Sequence, residues 1–241
     1  MAGAGRVNVE PCAKRVRATF GGEVVFDTVR PLLVWEGPHY PQYYVPRADV
    51  RTELLIGSDT TSHSPSRGEA RHHTLKAGDR EAVDAAWEYP EPKIEELRDH
   101  LRFEWGALDH WFEEDEEVIV HPRNPYHRVD TLASSRHVQV LIDGVTVADS
   151  HRPTLLFETG LRTRYYLPPL DVRQDLLVPS DSHTQCPYKG TASYHSVRIG
   201  ETVHDDVVWH YPAPLLESVK IAGMLCFYDE RVEVIVDGEA R

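Results

Sequence analysis

The sequence predicts a mainly β protein of the α+β kind, built from two tandem small antiparallel β-sheet domains that each carry one short helix. Three observations lead there. An internal repeat recurs at an offset of 122 residues, short β-branched and aromatic runs are punctuated by two-residue Gly turns, and helical periodicity is scarce.

Adding 122 to Asp27, Arg30, Pro31 and Glu36 gives Asp149, Arg152, Pro153 and Glu158. The same step carries Tyr43-Tyr44 to Tyr165-Tyr166, Asp49-Val50-Arg51 to Asp171-Val172-Arg173, and Pro65 and Gly68 to Pro187 and Gly190. From 23/145 to 73/195, 20 of 51 pairs are identical without a gap, which decides for duplication. Trp87 and Tyr89 continue onto Trp209 and Tyr211. Near the ends Glu117-Val118-Ile119-Val120 matches Glu233-Val234-Ile235-Val236 at 116, implying about six extra residues in the first copy. The domains are therefore 14–120 and 136–238, joined by a Pro- and Arg-rich linker over 121–135. A pseudo-two-fold relation between them is expected, as in a homodimer.

In the second copy, Val138 to Ile142, Asp143-Gly144 and Val145 to Ala148 read as a hairpin around a favoured turn. The first copy repeats it as Val16 to Phe20, Gly21-Gly22 and Glu23 to Phe26. Thr154 to Glu158 and Arg164 to Leu167 are further strands, the latter stopped by Pro168-Pro169. Ser193 to Ile199 and Val207 to Trp209 follow, and Met224 to Tyr228 with Val232 to Val236 reads as a closing hairpin. The helix expected in copy two spans about Leu215 to Ala222. In copy one Ile94, Leu97 and Leu101, with Glu95-Glu96 in the first turn, predict a longer helix around 93–104.

A formal net charge of −13 repels phosphate backbones, and no cationic cluster offsets it, so nucleic acid is excluded as a partner. No apolar run approaches the roughly 18 residues of a membrane span, so no membrane partner is expected. Met1 to Val7 lacks the apolar core of a secretory signal. Three scattered cysteines (Cys12, Cys186, Cys226) argue against a disulfide framework, and a cytoplasmic location is expected.

Positions kept in both copies most simply serve the fold, and positions that differ show where one copy gained or lost something. Arg152 with Glu158 and Asp171 with Arg173, each with its twin, read either as structural ion pairs or as an Arg–carboxylate lining for a polar pocket. Tyr166, Trp209 and Tyr211 read as core or pocket wall. After Asp181 the copies diverge: Cys186, Tyr188, Lys189 and Tyr194 stand where copy one has Ser64, Ser66, Arg67 and His72. Cys186 is either a nucleophile, with Lys189 favouring its thiolate and His195 as base, or a buried small hydrophobe. A milder arrangement needs no covalent step, with Lys189 and Tyr194 polarising a carbonyl or phosphate between Tyr166 and Trp209. His63, His72 and His73 cannot all converge on one ion, because adjacent strand residues face opposite ways. No metal or cofactor is expected.

Leu156-Phe157-Glu158-Thr159-Gly160-Leu161, Tyr165-Tyr166-Leu167-Pro168 and Trp209-His210-Tyr211-Pro212 resemble one bacterial family. Its most specific match is Cys186-Pro187-Tyr188-Lys189-Gly190. The family is the domain of unknown function 427, also labelled nucleotidyltransferase-like, and the resemblance spans nearly the whole chain after residue 13. It implies a compact fold of two antiparallel sheets in a tent- or sandwich-like arrangement, without a settled activity. Two-metal nucleotidyl transfer needs a Gly-Ser followed by Asp-x-Asp, and Gly57-Ser58-Asp59-Thr60-Thr61 lacks the second Asp. A Walker-type loop is absent as well.

Two functions follow as expectations. One is a hydrolase, lyase or transferase acting on a small polar metabolite, with Lys189, Cys186, Tyr194 and His195 as catalytic candidates. Arg152, Glu158, Tyr166, Asp171, Tyr188 and Trp209 would be its binding residues. The other is a non-catalytic binding or sensing module using the same pocket. The partner in either case is a small-molecule ligand, with the two repeats packing on each other and a homo-oligomer left open.

Overall fold

The computed structural model describes residues 7–241, so the N-terminal stretch Met1 to Arg6 lies outside the described residues. It divides into unit 1, Met1–Asn124, and unit 2, Pro125–Arg241. Unit 1 comprises β1 (Asn8–Pro11), β2 (Val16–Phe20), β3 (Glu23–Thr28), β4 (Leu32–Trp35), β5 (Gln42–Pro46) and β6 (Leu55–Ser64). It continues with β7 (Gly68–Ala77), β8 (Arg80–Glu88), β9 (His100–Phe103), β10 (His110–Glu113) and β11 (Glu116–Glu117). Unit 2 opens with β12 (Val129–Ala133), β13 (Val138–Ile142), β14 (Val145–Ser150), β15 (Thr154–Glu158) and β16 (Arg164–Leu167). Then come β17 (Leu177–Cys186), β18 (Gly190–Ile199), β19 (Thr202–His210), β20 (Leu225–Phe227), β21 (Glu233–Val236) and β22 (Glu239–Ala240).

Each unit holds one seven-stranded and one four-stranded antiparallel sheet. The larger sheets run β1-β4-β5-β9-β8-β7-β6 and β12-β15-β16-β20-β19-β18-β17, which is the same order twice. The smaller run β11-β10-β2-β3 and β14-β13-β21-β22. In unit 2 one core lies between the sheets, with Val138 and Val140 of the smaller meeting Val197, Val208 and Phe227 of the larger. A second core covers the other face of the larger sheet, through Leu156, Tyr166, Tyr194, Trp209, Cys226 and Ile221. Unit 1 repeats the pair of cores. The central strands are therefore buried on both faces, which is why they read as continuous apolar runs rather than alternating ones.

The Asp143-Gly144 turn is present, with φ of 50° and 77°, the doubly left-handed turn that matches strand twist. Several expectations are corrected. The helix expected over 93–104 is a single 3-10 turn, Glu95–Leu97, followed by β9. Leu97 and Leu101, apparently on one helical face, serve different cores on opposite faces of the sheet. The helix in copy two is likewise 3-10, Leu216–Ile221. Met224 to Tyr228 and Val232 to Val236 form no hairpin, because β20 joins the larger sheet and β21 the smaller. The stretch read as linker, 121–135, contains β12, which pairs with β15 as β1 pairs with β4.

The 116-residue offset is also corrected. Val16 pairs with Glu113 and its twin Val138 pairs with Val236, so β10 holds the place of β21. The likeness of Glu117–Val120 to Glu233–Val236 is one of sequence only.

Candidate functional site

Strand register builds one aromatic row on the outer face of the larger sheet in unit 2. Tyr166 pairs with Cys226, Cys226 with Trp209, and Trp209 with Tyr194, and paired residues share a face. Trp209 Nε1 donates to the Tyr166 hydroxyl at 3.0 Å, and the rings meet edge to face. Burial pushes the Tyr166 phenol and the Cys226 thiol up, so both stay protonated. The Arg164 guanidinium lies 5.3 Å from the Trp209 ring and 5.8 Å from the Tyr228 ring, beside two rings that meet each other at 4.4 Å. Arg164 also binds Asp229 and, at 2.8 and 2.9 Å, Glu230. That contact holds the Glu230 carboxyl at about 2, while burial raises the Asp229 carboxyl.

At one end of the row the backbone is bulged. Between the paired residues Pro179 and His183 of β17 stand Ser180, Asp181 and Ser182, opposite Tyr194 alone on β18. β19 is irregular at the same level, with Asp206 at φ 50°. Ser182 ties the two bulges together by donating to Asp206 at 2.6 Å. Bulges re-aim side chains, and here they leave a shallow cavity, open to solvent, of about 350 Å³ lined by Ser182, His183, Thr184, Tyr194, Asp206, Tyr228 and Arg231. The hydroxyls of Thr184 and Tyr194 lie 2.7 Å apart and those of Tyr194 and Tyr228 3.4 Å apart, forming a chain along the wall. Burial and the neighbouring Tyr194 raise the Tyr228 phenol, so it remains a donor at neutral pH. Arg231 stands at the rim, donating to the Asp205 and Asp206 carbonyls at 2.7 and 3.3 Å.

Copy one has the same skeleton with other groups. Thr60 donates to Asp84 at 2.8 Å as Ser182 does to Asp206, and Ser62 meets His72 at 2.8 Å where Thr184 meets Tyr194. Arg102 takes the place of Cys226 in the row and lies 4.3 Å from the Trp87 ring.

A second polar group sits by the turn into β18. The Lys189 ammonium binds the Glu158 carboxylate, and His127 Nε2 lies 3.0 Å from its other oxygen. Both Glu158 and Lys189 side chains are buried, at 7% and 11% exposure. Tyr188 stacks on His127 at 4.2 Å. Gly190 closes this turn at φ 96°, and a side chain there would meet the Ala213 carbonyl at 3.4 Å, which explains the glycine in both copies.

The residues singled out from sequence thus fall into four places. Tyr166, Tyr194 and Trp209 share the row, and Glu158, Lys189 and Tyr188 share the polar group beside it. Cys186, partly exposed at the end of β17, shares the Tyr194 face, where it and burial raise the Tyr211 phenol. His195 does not join them. It pairs with Val208 on the opposite face and stacks on His210 at 5.0 Å, and burial lowers both imidazoles. Arg152 does not pair with Glu158 but with Asp171, at 2.8 and 3.0 Å, while Ser150 donates to the same carboxylate at 2.7 Å. Arg30, Asp49 and Thr28 repeat that clasp, which fastens the end of β14 to the 3-10 turn Pro169–Asp171. Sequence reasoning missed Thr184, Tyr228, Arg231 and His127. Only Tyr228 carried a signal, as the last residue of a run already read as strand.

A duplicated domain of one seven-stranded and one four-stranded antiparallel sheet defines the class of protein. The family model described as Domain of unknown function (DUF427) matches residues 8–114 and again 130–238, and the chain belongs to that family as a two-copy member. No curated protein matches the chain. Among the described residues, no helix is long and apolar enough to cross a membrane.

Proposed function

We propose that unit 2 is a binding module for one small polar metabolite, held in the cavity between Tyr194, Tyr228 and Arg231. The observation that carries this is the Thr184–Tyr194–Tyr228 hydroxyl chain along a cavity of about 350 Å³. That volume is at the small end of ligand pockets, roughly 300–1,000 Å³. Hydroxyls that donate and accept, a carboxylate (Asp206) and a rim cation suit a ligand bearing both hydrogen-bond donors and acceptors. Against covalent catalysis stands the separation of Cys186 from His195 by the sheet, together with the engagement of Lys189 by Glu158. Without that base, hydrolase, lyase or transferase chemistry would fall to the phenols, His183 and Asp206 that line the cavity. The free thiols agree with a cytoplasmic location.

Thermal-shift screening of the full chain against small carboxylic acids, amides, amino acids and sugars tests the proposal. A ligand should raise the melting temperature of the wild type and not of the Tyr194→Phe/Tyr228→Phe variant. A ligand that stabilises both equally, or a set in which nothing stabilises the wild type, would overturn it.

A further inference from the structure

Away from that cavity, the edge of the smaller sheet in unit 2 gathers two imidazoles and a carboxylate. Gln139 pairs with Asp149 and Val138 with Ser150, so His137, one residue before β13, stands opposite His151, one residue after β14. Val138 and Ser150 point into the core, which turns His137, Gln139, Asp149 and His151 together onto the outer face. The two imidazoles stack at 4.0 Å between centroids, and His137 Nε2 lies 2.7 Å from Asp149 Oδ1. One ligand atom from each of His137, Asp149 and His151 falls within 4.8 Å of the others. A tetrahedral zinc site with Zn–N of about 2.0–2.1 Å needs ligand atoms about 3.3 Å apart. Exposed rings can close that gap by small rotations.

Copy one shows what this position holds when it is not a ligand set. Asp27 corresponds to Asp149, Arg15 to His137 and Val29 to His151. There the Arg15 guanidinium grips Asp27 through two hydrogen bonds, one of 2.7 Å from Nε, and satisfies both carboxylate oxygens with a fixed cation. In copy two the Asp149 ion-pair partner is an imidazole instead. The fixed guanidinium has been exchanged for two imidazoles beside the same carboxylate, rings that hold Asp149 through an N–H when no ion is present and offer lone pairs once that proton is displaced by a metal. Supporting contacts are in place. Gln139 donates to the other Asp149 oxygen at 3.0 Å and so orients the carboxylate, as outer-sphere partners of metal ligands do. Asp237 fixes the His137 backbone N–H at 3.0 Å and draws the neighbouring Arg136 away at 2.6 Å.

We propose that His137, Asp149 and His151 bind one divalent transition-metal ion, with water completing its coordination. Two imidazoles and one carboxylate select borderline ions such as Zn²⁺ and Co²⁺ over Mg²⁺ and Ca²⁺, which prefer all-oxygen shells.

Calorimetric titration of the chelator-treated full chain with ZnCl₂, and with MgCl₂ as the contrast, tests this. The expected result is one saturable Zn²⁺ site per chain with no Mg²⁺ counterpart, and visible absorption bands when Co²⁺ is used instead. His151→Asn, and His137→Arg, which rebuilds the fixed pair of copy one, should each weaken that site more than tenfold. His151 is exposed and His137 half-buried outside the core, so the metal-free melting temperatures should stay close to the wild type, and Arg15→Ala should leave the site unchanged. A wild type without a saturable site, or a site that survives both histidine substitutions, would overturn the proposal.

Discussion

Replacing Lys189 by Met removes the cation from a carboxylate that the fold keeps 7% exposed, while conserving the length of the side chain. Breaking a buried ion pair by deleting one partner costs about 3–5 kcal/mol, because the remaining charge stays buried. His127, 3.0 Å from the other Glu158 oxygen, leaves the carboxylate one polar partner, which puts the expected loss at the low end, near 3 kcal/mol. Unit 2 spans 241 − 124 = 117 residues, for which each kcal/mol moves the midpoint by roughly 4 °C. Scanning calorimetry should then show the unit 2 transition about 12 °C lower. The double variant Glu158→Gln/Lys189→Met leaves no buried charge and should recover most of that loss. A single variant that loses less than about 1 kcal/mol, or a double variant as unstable as the single, would refute the view of this pair as buried and coupled.

Three further outcomes are expected. Burial lowers the His195 and His210 pKa values below the ordinary 6.5, so the unfolded chain takes up protons first. Their contribution to stability is whole above pH 6.5 and lost as the pH falls through the depressed folded values; His195→Gln should flatten the pH dependence of chemical denaturation there. Gly190→Ala forces an L side chain to φ 96° against the Ala213 carbonyl and should destabilise unit 2 by about 1–3 kcal/mol in urea titrations. Iodoacetamide followed by peptide mass spectrometry should label Cys186 in the native protein, whereas Cys226, fully buried with its thiol pushed up, should react only on unfolding.

The duplication, the β class and the hairpin around Asp143-Gly144 were legible because each is local or periodic in the chain. The helical pattern around 93–104 misleads for a physical reason. β9 is a central strand with Leu101 and Phe103 on one face and Arg102 on the other, all three buried, so alternation vanished and an accidental i, i+3, i+7 pattern remained. The aromatic row was half legible, since Tyr166, Trp209 and Tyr194 were marked by type, but their shared face depends on register. Register also decided His195, adjacent to Tyr194 in sequence and across the sheet in space. The sequence does not separate Glu158 from Asp171 as the partner of Arg152, and only the 3-10 turn that brings Asp171 back to β14 decides it. The His137–Asp149–His151 group spans a hairpin, and nothing in its spacing marks it before Gln139 is known to face Asp149.

The bulged strand that shapes the cavity has a second effect, on how the chain meets copies of itself. β17 ends its sheet, as β6 does in unit 1, and a terminal strand of ten residues offers free N–H and C=O groups to any strand that drifts past. In both, the ladder is broken midway, at Pro179/His183 and at Gly57/Thr61, by a short polar stretch containing Asp181 or Asp59. A foreign strand could match only a few residues before losing phase and meeting a carboxylate. The irregularity that shapes the cavity therefore also caps the sheet against fibrous self-assembly, and straightening it would risk solubility.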